Sequence, residues 1–408
     1  MKRIAVIGSG ISGLASAYYL SRRHEVSLFE KDSRLGGHTH TVMVDGTPVD
    51  TGFIVHNDRT YPNFQRLMTE LGVESQMSDM SFAVTSPDTG FEYSSRGLSG
   101  FFAQRSNAAR PRHYKLLAEI MRFNRSAAKL AGDSSDLTLA EFLERGRYTQ
   151  EFIDRYLFPM ACAVWSMTPE DMEKFPAATL IKFFDNHGML GIDTHPKWKT
   201  IRGGSHTYID PITKPFRDRV HLNAQIESVM RSADGVELRF ADRAAMKFDE
   251  AVFACHGNQI LPLLKDPTIR EAEILRNFST SRNEVCLHTD ESLLPRRAKA
   301  RASWNYLLGD RRRVALTYHM NRLQSIPGPW EFCVTLNANG SVDPKKVIRR
   351  MVYHHPLYTK AAVAAQGRWE EISGADRVHF CGAYWFYGFH EDGVNSALRV
   401  ARKLGVEC

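Results

Sequence analysis

Cysteine is scarce and unpatterned. Cys162, Cys255, Cys286, Cys333, Cys381 and Cys408 form no C-x-x-C pair and no Cys/His spacing suited to zinc. That excludes a disulfide framework, and no metal site is expected; the thiols suit a reducing compartment. Long apolar runs are also missing. None approaches the ~20 residues that cross a bilayer. Strand-like sequence starts just after Met1, so no signal peptide is expected and the expected location is cytoplasmic. No Ser/Gly-rich or Gln/Asn-rich stretch and no internal repeat occurs, so the chain is expected to fold almost throughout. Acid is in deficit: 53 Lys and Arg face 46 Asp and Glu, a net charge of +7. The excess gathers in Arg105, Arg110, Arg112, Lys115, Arg122 and Arg125, and again in Arg296, Arg297, Lys299, Arg301 and Arg311 to Arg313. No nucleic-acid motif accompanies either cluster, so no nucleic-acid partner is expected. A solvated positive face and an anionic membrane surface both remain open.

What is present begins with a nucleotide-binding pattern. The apolar run at Arg3 to Ile7 reads as a buried parallel strand. Gly8-Ser9-Gly10-Ile11-Ser12-Gly13 follows as G-x-G-x-x-G, then a helical stretch, then a second strand ending at Glu30. Each part has a physical task. Gly8 permits the tight turn, Gly10 lets a pyrophosphate approach the backbone, and Gly13 lets the helix pack on the sheet. The helix N-terminus offers free N–H groups, including those near Ile11 and Ser12, to the phosphates. Glu30 is placed to accept ribose hydroxyls and disfavours a 2′-phosphate.

The segment Lys31-Asp32-Ser33-Arg34-Leu35-Gly36-Gly37-His38 comes next. It resembles the R-x-G-G extension of the flavin amine-oxidase and phytoene-desaturase superfamily. The resemblance implies FAD, with Lys31, Arg34, Gly36, Gly37 and His38 near its pyrophosphate and ribityl chain. The family usually has Arg where His38 stands. Thr51-Gly52-Phe53 resembles the family's second glycine contact beside the isoalloxazine ring, and Ile226 its backbone contact to adenine. Near the C-terminus, Arg377 to Gly382 reads as a strand ending in glycine. Asp392, Gly393 and Val394 open a last helix that the family places under the flavin, where its dipole stabilises negative charge on the reduced ring.

The fold implied is α/β: a Rossmann-type, GR2-like FAD-binding domain interleaved with an α+β substrate domain. Expected boundaries are 1–56, 200–260 and 375–408 for the FAD domain, and 57–199 and 261–374 for the substrate domain. The latter is read as an antiparallel sheet with a helical cap, membrane-facing around 101–190. Helical patterns run at Tyr61–Leu71, Arg112–Leu130, Leu139–Arg145, Thr149–Trp165 and Pro169–His187, and strand patterns at Asn283–His288, Val314–Met320 and Trp330–Leu336. This half is rich in aromatic residues, which suit either a core or an apolar channel.

Further segments narrow the resemblance: Gly37-His38-Thr39-His40-Thr41, Gly52-Phe53-Ile54-Val55-His56-Asn57, Asn186-His187-Gly188, and Tyr387-Gly388-Phe389-His390-Glu391-Asp392-Gly393. Together they resemble a bacterial subfamily whose genes commonly sit beside cyclopropane-fatty-acid-synthase-like methyltransferases. Some of its members are flavin-dependent desaturases of methyl-branched acyl chains, on the route to furan fatty acids. The resemblance implies a phospholipid acyl substrate and peripheral attachment to the inner face of the cytoplasmic membrane. A lipid methyltransferase and a second copy of the chain are candidate partners. His390, Glu391 and Tyr387 are the candidate catalytic residues, each with a structural alternative. The competing expectations are an amine oxidase acting on a soluble amine and a non-catalytic flavin-bound partner of the methyltransferase. A nicotinamide-dependent dehydrogenase has only one Rossmann fingerprint to rest on.

Overall fold

In the computed structural model the described residues are all but 87, 131–136, 192–195, 310–314, 339 and 408. Arg311 to Arg313, Val314 and Cys408 therefore lie outside them. The run Arg3–Ile7, apolar and largely β-branched after Arg3, becomes the middle strand of a five-stranded parallel sheet, buried from Ile4 on. Its neighbours are Glu25–Phe29 on one side and Glu250–Phe253 on the other. Val220–His221 and Val378–Phe380 complete the two edges. Five segments scattered along the chain thus build one sheet. Two helices, Ile11–Leu20 and His390–Lys403, lie against each other beside it. They approach closely because Gly393 has no side chain: a Cβ there would stand 2.6 Å from Ile11 Cγ2 and 2.9 Å from Ser12 Oγ. An antiparallel meander, Ile226–Ser232, Gly235–Phe240 and Met246–Phe248, packs Phe240 and Phe248 around Phe29, with ring centroids 5.4 and 5.7 Å away.

The other half is built on a seven-stranded sheet. Its order is Val347–Leu357, Ser279–His288, Cys333–Leu336, Ala315–His319, Trp304–Leu307, Phe82–Ser86, Phe91–Ser94. The sheet is antiparallel as expected at every pairing but one. Trp304–Leu307 runs parallel to Phe82–Ser86, because the hairpin Phe82–Ser94 arrives from the other end of the chain. Helices Pro111–Leu130, Leu139–Arg145, Phe158–Trp165 and Ala177–Asn186 accompany the sheet and share an aromatic core with it. Trp165 packs there against Phe175 and Phe183, both at 4.7 Å.

Two predicted helices are interrupted where proline removes an N–H donor. Thr149–Trp165 shifts through a π-turn at Ile153–Leu157, just before Pro159. Pro169–His187 divides into Pro169–Glu173 and Ala177–Asn186, with Pro176 between them. The buried apolar residues form one large cluster around the parallel sheet and another around the seven-stranded sheet. Asp50 is a hydrogen-bonded link between elements of the two halves. It is fully buried and accepts from Ser205 N and Oγ, Thr41 Oγ1 and Gln324 Nε2.

Candidate functional site

The glycine loop has the shape its sequence demands. Gly8 has φ +102°, and a Cβ on it would lie 2.8 Å from Ala254 O. A Cβ on Gly13 would run into the carbonyl oxygen of Gly8, so only glycine lets the helix start this close to the strand. Gly10 is different: nothing stands within 4 Å of where its Cβ would be. Its backbone faces open space at the start of Ile11–Leu20, and no side chain caps that helix. The loop therefore presents uncapped N–H groups to an anion.

Around the loop the predicted residues fall into two groups. Glu30 is buried and accepts from Ser9 N at 2.9 Å, Ser9 Oγ at 2.5 Å and Asp32 N at 3.0 Å. Ser9 thus holds the carboxylate in place, a role the G-S-G spelling did not announce. Lys31 is exposed beside it. Gly36 and Gly37 both have positive φ, and Gly37 lies beside Gly10, its Cβ position 3.2 Å from Gly10 Cα. Arg34 is turned onto its own loop, donating to the carbonyls of Leu35, Gly37 and Thr39. Its hydrogen bonds hold the glycine pair, whereas proximity to phosphate was the expectation. His38 Nε2 is buried with no hydrogen-bond partner. Burial and the neighbouring His355 and His256 hold His38 well below the usual imidazole range, so it is neutral. Gly52 touches the carbonyl of His38, and Thr51 Oγ1 meets Tyr353 OH at 2.7 Å. Tyr353 OH also meets His40 Nδ1 at 2.7 Å. His256, Tyr353 and His355 come from distant segments, and sequence reading gave them no part here. Ile226 begins its strand with N–H bonded to Ala224 O. Gly382 N donates to Ser396 Oγ of the last helix, and Val394 is fully buried.

The second group surrounds the start of His390–Lys403. Asp392 accepts from Phe389 N at 2.9 Å and caps the helix; burial pushes its carboxyl up to about 7. His390 stacks on Phe53 with centroids 3.6 Å apart. Its Nε2 lies 3.1 Å from Thr39 Oγ1 and 3.4 Å from Tyr208 OH, and burial pushes it down to about 3. Glu391 accepts from Asn63 N and Phe64 N, so it caps the helix Pro62–Glu70. Burial raises its pKa. Tyr387 faces elsewhere. Its carbonyl accepts from Trp165 Nε1 at 3.2 Å, and its ring lies 5.7 Å from Phe183 in the aromatic half. Burial raises the phenol's pKa, so it stays protonated.

An open glycine backbone, uncapped helix N–H groups, a neutral buried imidazole nitrogen without a partner and a buried acid at the second strand's end fit a dinucleotide. Residues 11–323 match the family described as flavin containing amine oxidoreductase. The chain belongs to that family. As a flavin-containing amine oxidoreductase family member it is an FAD-dependent oxidoreductase, and FAD is its cofactor. Gly10, Ile11, Ser12, Gly13 and Glu30 are the residues that would hold its nucleotide end, and His38, Gly52 and Gly393 stand further along.

Among curated relatives, the chain is 28% identical over 183 residues to protoporphyrinogen oxidase 2 of Arabidopsis thaliana, covering 42% of this chain and 34% of that protein. It is 27% identical over 245 residues to the putative flavin-containing monoamine oxidase AofH of Mycobacterium tuberculosis, covering 57% and 52%. The matched stretches thus span about a third to a half of those relatives' lengths. Among solved structures, a redesigned putrescine oxidase aligns with TM-score 0.72 and 14% identity over 100% of this chain and 99% of that one. A fatty acid isomerase of P. acnes that produces CLA aligns with TM-score 0.72 and 16% identity over 98% of each. These structural likenesses are of fold.

Proposed function

We propose that this flavoenzyme is a desaturase that converts a methylated, unsaturated fatty acyl chain of a phospholipid to a conjugated diene, a step toward a furan fatty acid. The observation that carries this reading is the wall in front of the last helix. Tyr387 and Phe389 pack into the aromatic cluster of the substrate half, with Phe389 5.1 Å from Phe183 and Trp165 bonded to Tyr387 O. The two carboxylates beside them, Glu391 and Asp392, are both consumed as caps. A dry apolar surface suits an acyl chain and excludes water from a hydride donor. A fatty acid isomerase on the same fold adds to the case.

Loss of a hydride and a proton from neighbouring carbons of the chain creates the second double bond. FAD, when bound, supplies the hydride acceptor. The protein's residues would orient the chain and receive the proton. His390 is neutral, and the burial that pushes it down to about 3 makes it a weak acceptor; Tyr387 is a protonated phenol suited to donating a hydrogen bond, and Glu391 is committed to the helix Pro62–Glu70. An amine substrate is less well served. Tyr384 and Trp385, the residues nearest in sequence to an aromatic pair, are buried against Phe278 at 4.8 and 4.7 Å.

The test is anaerobic mixing of the FAD-loaded protein with a phospholipid bearing a methylated monounsaturated chain. Bleaching of the flavin together with loss of two hydrogens from the lipid is expected. Bleaching by amines and not by lipid would replace the reading with an amine oxidase. Bleaching by neither would leave a flavin-bound partner of a methyltransferase.

A further inference from the structure

Arg296, Arg297 and Lys299 are some two hundred residues from the first basic cluster in the chain, yet they come to the edge strand that leads into it. Phe91–Ser94 is the outermost strand of the seven-stranded sheet. Its Glu92 is buried and accepts from Arg296 N at 2.8 Å and from Arg297 Nη1 at 2.8 Å. Ser94 Oγ donates to Lys299 O at 3.1 Å. The same strand leads directly into residues 96–127, which contain seven Lys and Arg and a single carboxylate, Glu119. All seven cations are exposed, whereas Glu119 is 8% exposed and accepts from Thr149 N.

Apolar side chains stand among these cations. Leu98 is 69% exposed, Tyr114 50% and Met121 42%. On the helix Pro111–Leu130 the exposed Pro111, Tyr114 and Lys115, Ala118, Met121 and Arg122, and Arg125 form one continuous face, with the exposed Arg112 to its side. An open shelf lined by Ala118, Met121, Arg122, Arg125 and Ser126 lies on it. Arg122 is held rigid there by Gly146 O and by Tyr148, whose ring centroid is 4.0 Å from the guanidinium. Leu98 and Met121 thus stand exposed among seven cations that share one carboxylate, Glu119, which pairs with Arg122 at 3.3 Å. Nucleic acid would ask for base-facing polar groups or stacking rings, and this face offers one exposed ring, Tyr114.

The geometry points to this face as the surface by which the protein docks on an anionic lipid bilayer. The cations meet headgroup phosphates, and Leu98, Tyr114 and Met121 enter the acyl boundary as the apolar side of an interfacial helix does. No helix among the described residues is long and apolar enough to cross the membrane, so the contact is peripheral. The inference rests on the phospholipid reading above, because a lipid-borne substrate has to be reached at the bilayer.

The test is flotation of the FAD-loaded protein with phosphatidylglycerol-containing vesicles and with pure phosphatidylcholine vesicles. Enrichment is expected on the anionic vesicles at low salt, with loss at high salt. Lys115→Glu combined with Arg125→Glu should lower partitioning at least ~25-fold, since each of the two lost cations near such a surface contributes roughly a five-fold factor. Leu98→Ser with Met121→Ser should weaken binding even at low salt. FAD content and circular dichroism of these surface variants should match the parent. No enrichment on anionic vesicles, unchanged flotation of the charge-reversed variant, or tighter capture by RNA or duplex DNA than by vesicles would each overturn it. Turnover on detergent-dispersed lipid separates the two readings. A variant that turns over but does not float supports docking as a separate function. A parent that floats but never turns over lipid removes the desaturase and leaves the docking face.

Discussion

Lowering the pH should destabilise this protein well above the range in which carboxylates usually titrate, and the structure sets the slope. Four buried histidines are held neutral by desolvation: His56, His187 and His288 at about 4, and His390 at about 3. An unfolded histidine titrates near 6.5. A depressed folded pKa means the native state binds fewer protons, so stability is complete above about pH 6.5 and is lost as pH falls toward 4. Asp392 and Asp50 oppose this, because burial pushes them up to about 7 and about 6. Each gains native-state protons in the same window and stabilises as pH falls. Four histidines against two aspartates leave a deficit of about two protons between pH 6 and 5, or ~2.5 kcal/mol per pH unit. From pH 6.5 to 4.5 the loss is about 5 kcal/mol, against a typical total of ~5–15 kcal/mol. His40, His256 and His355, each also at about 4, lie beside the flavin loops and act in the same direction, so two protons is a floor. Glu250 and Asp290, held at about 2, act only below this window. Urea unfolding followed by tryptophan fluorescence at a series of pH values measures the slope. His390→Gln should flatten it by about one proton, and Asp392→Asn should steepen it by about one. A slope near zero between pH 6.5 and 5, or both variants moving it the same way, would refute the reasoning.

Gly10→Val should leave the melting temperature of the apoprotein nearly unchanged, since its side chain enters open space, while FAD titration shows affinity reduced by two orders of magnitude or more. Gly13→Val should instead fail to give soluble protein, because its Cβ occupies the place of Gly8 O; a stable Gly13→Val protein would contradict the packing. Glu391→Ala should cost about 1–3 kcal/mol by leaving Asn63 N and Phe64 N without their acceptor, read as a lower urea midpoint. His390→Gln, with FAD retained, should slow lipid oxidation if His390 takes the proton; unchanged turnover removes it from that role.

The nucleotide unit is legible in sequence because its parts are consecutive. Strand, glycine turn, helix and strand follow one another within Arg3 to Phe29; Gly8 and Gly13 answer to contacts within that unit or to residues 254–255, and Gly10 to open space. The seven-stranded sheet is harder to read because its strands pair across long separations. Phe82–Ser86 lies beside Trp304–Leu307, and no local pattern states that partnership or its parallel sense. The same holds for the site. The carboxylate of Glu391 looks available in the string of letters, and only the return of Pro62–Glu70 to its side turns it into a cap. Arg34 likewise gives no sign in the letters that it donates to the carbonyls of its own loop. Patterns set by neighbours in sequence survive translation into structure; assignments that depend on what arrives from elsewhere do not.

The five-segment sheet has a temporal consequence during synthesis. Its central strand leaves the ribosome about 370 residues before one edge, Val378–Phe380, and the closing helix His390–Lys403. Ile11 and Ser12 must wait for Gly393, and Ser16 for Cys381, whose sulfur lies 3.3 Å from its hydroxyl. A nascent chain with hundreds of residues already exposed therefore still has no closed cradle. Closure around the prosthetic group waits for Val378–Phe380 and His390–Lys403, and cells short of riboflavin should accumulate protease-sensitive chains with few stable fragments.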